Sequence, residues 1–464
     1  MQNNLPRPRV FQAGTDHASS RFLLPFLGSR VQDFLMPYDT DALVAADKQH
    51  IWHPFTQMQA WCDPAHEPLV LVEGHEAILR DSRGREYLDG NSSIWTNIHG
   101  HNHPKINAAI REQLDRVAHV SFLGSTNAPA AQLAQRLCGH FRRGTLDRVF
   151  FSDDGSTAIE AALKMSVQYW QLSGRPERNR FLAFDRAYHG DTAGASSVGG
   201  IAGFHGRFER MHFPVERIAS VDELPSVSSP ETIAAVIIEP LVQGAAGIRL
   251  WPPGMLRELS AWCDLNGIHL ILDEVLTGFG RTGTMFACEQ ERVFPDFLCL
   301  AKGLTGGYLP LAATLTTNRI FEKFLGRIDE LKTFYYGHSY TGNPLGCAAA
   351  LASLDIFEEE NVLENLKPKI ALLESLLAGL AEHPHVRAVR QCGFIAGIEI
   401  GADKTTPYPW AELRGARVCE AARAYGLLTR PILDTIVLMP PLCTTADQLR
   451  MAVDAIRRAI DDVC

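Results

Sequence analysis

The residue best suited to covalent chemistry is Lys302, in Ala301-Lys302-Gly303 directly after the apolar run Phe297 to Leu300. A lysine at a strand end beside a glycine can be partly desolvated, where its pKa falls and it forms Schiff bases. Three other apolar runs lead into comparable groups. Ile268 to Leu272 ends in Asp273-Glu274, Ala234 to Ile238 in Glu239-Pro240, and Arg148 to Phe151 opens into Asp153-Asp154-Gly155-Ser156-Thr157. An aspartate at such an end can pair with a pyridinium nitrogen. A glycine and hydroxyls opening a helix at Gly155-Ser156 form an anion cup, because free N–H groups and the helix dipole favour a phosphate. Tyr188-His189-Gly190, after the run Phe181 to Phe184, could supply an aromatic face. Each residue also has a plain structural reading: Asp273 as a loop cap, Lys302 as a solvated charge, Tyr188 as core, the Gly-Ser-Thr step as an ordinary N-cap. Their joint placement at strand ends singles them out. Lysine, aspartate and phosphate cup are the three things pyridoxal 5′-phosphate (PLP) asks of a protein.

Those groups need a scaffold that gathers strand ends. From about 100 to 345, short runs that are apolar almost throughout alternate with helix-length amphipathic stretches such as Ser156 to Gln171 and Gly254 to Asn266. Runs of that kind are expected for strands covered on both faces, and the alternation predicts a large α/β domain around a mostly parallel sheet. Ligands in such sheets sit at the carboxyl ends of the strands. After Gly342-Asn343-Pro344 a helical pattern runs from Leu345 to about Glu382. Strand-like Gly393 to Ile400 and Thr435 to Met439 follow, and a helix closes the chain from Ala446. This predicts a smaller C-terminal α/β domain over 346–464. Residues 36–95, with strand-like Leu69 to Val72 and Ala77 to Arg80, are expected to pack with it, leaving 96–345 as the large domain.

Composition narrows the class. A chain of 464 residues with 46% hydrophobic and 21% charged residues can bury a large core without metal or disulfide staples. The net charge of −9 argues against a nucleic-acid-coating surface. The ten cysteines include no CxxC step, and no two are closer than Cys288 and Cys299, eleven residues apart. Scattered cysteines read as reduced small hydrophobes and point to a cytoplasmic protein with no metal site. Residues 1–35 carry Arg7, Arg9, Arg21 and Arg30 against Asp16 and Asp33. Their apolar patch, Phe22 to Leu27, contains a proline and is far short of the ~20 residues a membrane span needs. They are read as a dispensable extension, or Met36 as the true start.

At this point the sequence resembles a known family. Leu272-Asp273-Glu274-Val275, Thr277 to Gly283 (Thr-Gly-Phe-Gly-Arg-Thr-Gly), Ala301-Lys302-Gly303 and Thr341-Gly342-Asn343-Pro344 resemble the class III PLP-dependent aminotransferases, from about Trp52 to the C-terminus. A narrower likeness, in Ile51 to Thr56, Asp89-Gly90-Asn91-Ser92-Ser93 and Leu438-Met439-Pro440-Pro441, is to the branch that moves an amino group onto 8-amino-7-oxononanoate in biotin biosynthesis. The resemblance implies a fold type I PLP-dependent transferase. Lys302 would bind the cofactor covalently and move the proton, Asp273 would hold the pyridine nitrogen protonated, and Gly155 and Ser156 would hold the phosphate. Tyr188 would lie at ring and substrate, and Arg430 would grip the substrate carboxylate with its bidentate fork. Gly337, His338 and Ser339 match a segment that reaches the neighbouring subunit's phosphate and substrate, so a homodimer is implied.

Departures from the branch bear on the amino donor. Members that use S-adenosylmethionine carry Tyr where this chain has Phe55, a Trp pair where it has Ile94-Trp95, and Tyr where it has Val437. Members that use lysine look more like this chain, and a site that loses a hydrogen-bonding hydroxyl changes its substrate preference. L-lysine is therefore the expected donor, ahead of S-adenosylmethionine. Other readings are a class III aminotransferase acting on an ω-amino acid or diamine, a PLP racemase or decarboxylase, and a non-catalytic binding protein on the same fold.

Overall fold

A computed structural model describes residues 38–464; the expected extension at 1–35 lies outside them. Contacts divide the chain into a unit ending at Pro68 and a main unit, Leu69–Cys464. In the first, helix Thr40–His50 is capped by Asp39, which accepts from the Ala42 N–H at 2.9 Å. Asp47 accepts from Trp61 Nε1 at 2.8 Å and lies 3.0 Å from His53 Nε2. Lys48 Nζ donates to the carbonyls of Asp63 and His66 at 2.7 and 2.6 Å. These bonds tie the turn Met58–Trp61 back to the longer helix.

The main unit is built on a seven-stranded sheet. Across it the strands are Arg148–Ser152, Ala312–Thr316, Phe297–Leu300, His269–Asp273, Ile233–Ile238, Arg180–Phe184 and Glu216–Ile218. Ala312–Thr316 alone runs antiparallel to its neighbours; the other pairings in the sheet are parallel. Ile233–Ile238 and His269–Asp273 are buried at every position, as strands covered on both faces must be. Two strands escape a reading by pattern. Glu216-Arg217-Ile218 is short and polar, and Ala-Ala-Thr-Leu-Thr over 312–316 lacks a bulky run; only their pairing makes them strands.

Two four-stranded sheets accompany the seven-stranded one, besides the short pair Val242–Gln243 and Arg249–Leu250. One is antiparallel, with Val386–Cys392, Ile395–Ile400, Thr435–Leu438 and Pro431–Ile432 in order. The other joins Leu71–His75, Ile78–Asp81 and Glu86–Asp89 to Leu427–Leu428, which runs parallel to Glu86–Asp89. The helical stretch expected from Leu345 to Glu382 is two helices, Pro344–Glu359 and Val362–Ala381. Asn361 separates them in the left-handed region at φ 49°, a conformation its short polar side chain tolerates. No helix among the described residues is long and apolar enough to cross a membrane.

Candidate active site

The strand ends open on a cavity of about 440 Å³ lined by Trp95, Gly155, Ser156, Tyr188, Glu239, Asp273 and Lys302, among others. Strand Phe297–Leu300 delivers Lys302 through Ala301 into a short turn, Lys302–Thr305, with Lys302 itself at φ 39°. Desolvation pushes its amine below the usual lysine value, and the Asp273 and Glu239 carboxylates oppose that fall. The Trp95 ring centroid lies 5.3 Å from Lys302 Nζ. Strand His269–Asp273 delivers Asp273, which accepts from the Val275 N–H at 3.1 Å and faces His189 Nδ1 at 2.7 Å. A carboxylate acceptor places the imidazole proton on Nδ1.

Sequence reasoning named His189 and Glu239 without giving them work, and the structure supplies it. His189 Nε2 is buried with no hydrogen-bond partner. Glu239, also buried, accepts from the Tyr188 N–H at 3.1 Å and the Gly244 N–H at 2.9 Å. Desolvation pushes its carboxyl up to about 7, with His189 pulling it down and Asp273 adding to the rise. Spacing in the sequence carries no signal of the His189–Asp273 or Tyr188–Glu239 contacts, since each joins residues from different strand ends.

The cup forms at the start of helix Gly155–Leu172. Asp154 caps it, accepting from the Thr157 N–H at 2.9 Å, while Thr157 Oγ1 accepts from the Asp154 N–H at 3.0 Å. The first N–H groups of a helix have no partner within it, which leaves those of Gly155 and Ser156 to a ligand. A side chain at Gly155 would put Cβ 2.7 Å from Val275 Cγ1. Gly190, at φ 120°, lies so close that a Cβ would stand 2.0 Å from Ser156 Oγ. Tyr188 donates its hydroxyl to Asp191 at 2.7 Å and stacks on His205, ring centroids 5.8 Å apart.

Other expected site residues are not among those that line the cavity. Ile94 is 45% exposed, and Val437 is fully buried in an apolar cluster that also holds Trp95, Val242, Leu276 and Met439. Arg430, Gly337 and Ser339 are exposed. His338 Nδ1 is 3.5 Å from Asp153 Oδ2, and its Nε2 is 3.1 Å from the Tyr336 hydroxyl. Phe55 belongs to the first unit, at φ 52°.

The family model for aminotransferase class III matches residues 61–460. The chain belongs to the class III aminotransferases. A class III relative from Geobacter sulfurreducens, adenosylmethionine-8-amino-7-oxononanoate aminotransferase, is 46% identical over 451 residues, covering 92% of this chain and 99% of its own. The crystal structure of the protein of that name from Methanocaldococcus jannaschii is 43% identical with a TM-score of 0.89, covering 92% of this chain and all of its own. An amine transaminase from an uncultivated Pseudomonas species, solved in its PLP-bound form, is 36% identical with a TM-score of 0.84 over 89% of this chain.

PLP is the cofactor of this class III enzyme, and the residues present fit it. The cavity has the size of a cofactor site. It offers an amine at Lys302, a buried carboxylate at Asp273, and two free helix N–H groups beside a glycine that admits no side chain. Substrates of an aminotransferase are small molecules, as a cavity of this volume requires.

Proposed function

We propose that this class III aminotransferase transfers an amino group onto 8-amino-7-oxononanoate, giving 7,8-diaminononanoate, a step of biotin biosynthesis. The observation that carries this reading is 46% identity across 92% of the chain to a relative named for that acceptor. When bound, PLP supplies an electron sink that makes the proton on the donor's amine-bearing carbon labile. Lys302 Nζ would take that proton and return it on the far side of the transferred nitrogen, to the C4′ carbon of the cofactor; its desolvation keeps the amine closer to neutral and so able to act as a base. Asp273 holds positive charge on the ring nitrogen, itself oriented by His189. Gly155 and Ser156 hold the phosphate, Tyr188 lies against the ring and substrate, and Arg430 receives the substrate carboxylate. The working unit is a cytoplasmic homodimer in which Gly337, His338 and Ser339 serve the neighbouring subunit's site.

Two amino donors have support. The relatives' names carry S-adenosylmethionine. Phe55, Ile94 and Val437, which lack the hydroxyls and the second indole of members that use it, favour L-lysine. Both are tested together by titrating the purified holoenzyme with each donor and following the visible band of the bound cofactor. Bleaching by one donor, reversed by 8-amino-7-oxononanoate, is the expected result. Bleaching only by a different amine, with no reversal by 8-amino-7-oxononanoate, overturns the acceptor assignment and leaves an aminotransferase of other specificity.

A further inference from the structure

The segment Asp89 to Trp95 folds against the handedness of its own residues. Ser92, Ser93 and Trp95 all have positive φ, at 47°, 62° and 68°. Conformations of this kind persist only where surrounding bonds over-determine them, and they cluster at functional sites. Here the bonds converge on Asp89, 1% exposed. Its carboxylate accepts from the Asn91 N–H at 3.3 Å and from the Ser93 N–H at 2.9 and 2.7 Å to its two oxygens, and it faces His101 Nε2 at 2.9 Å. Two further bonds staple the turn to the strand Thr435–Leu438 and its exit: Ser92 Oγ donates to the Met439 carbonyl, and the Met439 N–H to the Gly90 carbonyl, each at 2.8 Å. Gly90 lets the chains approach closely there: a Cβ would stand 2.7 Å from Leu427 Cδ1 and 3.3 Å from the Leu428 carbonyl oxygen.

The turn ends in one directed contact. Asn91, 3% exposed, accepts the indole N–H of Trp95 at Oδ1, 2.8 Å away, and donates from Nδ2 to the Ser93 carbonyl at 3.2 Å. The ring so held lies against Lys302 Nζ at 5.3 Å and lines the cavity. We propose that Asn91, locked by the Asp89 carboxylate, is a positioning residue: it fixes the plane of the Trp95 indole and thereby the wall against which the Lys302 amine moves. A leucine at 91 would leave the indole N–H buried and unpaired, which a buried donor avoids by turning. Val437 and Leu276 share the apolar cluster of Trp95. The inference rests on Lys302 as the cofactor-binding lysine and is independent of which acceptor or donor the enzyme uses.

The test uses holoenzyme of the wild type, Asn91→Leu, Trp95→Phe and the double variant. Borohydride reduction and peptide mapping of the wild type first establish that the cofactor is on Lys302; its appearance elsewhere overturns the site assignment itself. The visible circular dichroism of bound PLP is then compared, along with kcat and KM for L-lysine and S-adenosylmethionine. The expected result is a changed dichroic band and a kcat about tenfold lower or more in Asn91→Leu, with KM within about threefold. Trp95→Phe, which has no indole N–H, is expected to make the double variant no worse than either single one. An Asn91→Leu loss of the same factor in both backgrounds, or a lowered Tm with dichroism and kcat unchanged, overturns the proposal. Should Asn91→Leu fail to fold, Trp95→Phe decides alone: dichroism and kcat equal to wild type overturn it.

Discussion

His189 Nδ1 lies 2.7 Å from the Asp273 carboxylate, with the imidazole side chain fully buried and the carboxylate 6% exposed. Two residues 84 positions apart thus form one unit, and the imidazole's other nitrogen, also buried, has no partner. A hydrogen-bonded carboxylate aimed into the cavity can hold a positive charge that an amide cannot. Asp273→Asn is therefore expected to lower kcat/KM by about 10²-fold or more while the protein stays folded. Steady-state kinetics beside a thermal melt check this, and near-wild-type turnover would remove Asp273 from the ring nitrogen.

Lys302→Ala removes nucleophile and base together. It is expected to retain some PLP through the helix cup while transamination falls by several orders of magnitude. Cofactor retention measured after gel filtration, together with single-turnover rates, separates the two effects. Substantial turnover in this variant is the result that contradicts the assignment.

Glu239 gives the cofactor-free protein a pH dependence of known sign. Its carboxyl is pushed from 4.5 to about 7 by burial, so between those values the folded state holds a proton that the unfolded state has released. Stability from this group is complete below about 4.5 and is lost as pH rises through about 7. Glu239→Gln, which cannot ionise, should compare more favourably with wild type at pH 8 than at pH 5 in thermal melts. A difference in Tm that is the same at both pH values would show that Glu239 is not held protonated.

Gly190→Ala places a methyl group 2.0 Å from Ser156 Oγ at a φ of 120°. The strain and overlap should cost about 2–4 kcal/mol of stability or be relieved by displacing Ser156. Either way PLP affinity falls, and a cofactor titration with a melt of the apoprotein distinguishes the routes. Unchanged affinity would show that the cup lies elsewhere.

Arg430→Ala tests a residue that the chain's own cavity lining does not include. Loss of a bidentate partner for a carboxylate is expected to raise KM for 8-amino-7-oxononanoate about tenfold or more, with kcat affected less. Kinetics indistinguishable from wild type would exclude Arg430 from substrate binding.

The parts of the site that sit at strand ends were legible in the sequence, because an apolar run broken by a charge marks where a buried strand stops. Lys302, Asp273 and the Gly155-Ser156 step were placed at strand ends that way, and five of the seven strands with them. What pattern could not reach was whatever depends on a partner far along the chain. Ala312–Thr316 becomes a strand only between Phe297–Leu300 and Arg148–Ser152. His189 finds Asp273, Glu239 finds the Tyr188 amide, and Lys302 finds the Trp95 ring. Val437, expected to bear on the amino donor, is fully buried in the apolar cluster that holds Trp95, a neighbour no spacing in the sequence announces. Residue type and local period thus determined the chemistry available and the sheet that carries it. Only the tertiary structure decided which groups touch, because hydrogen bonds and desolvation act over a few ångströms of space and take no account of distance along the chain.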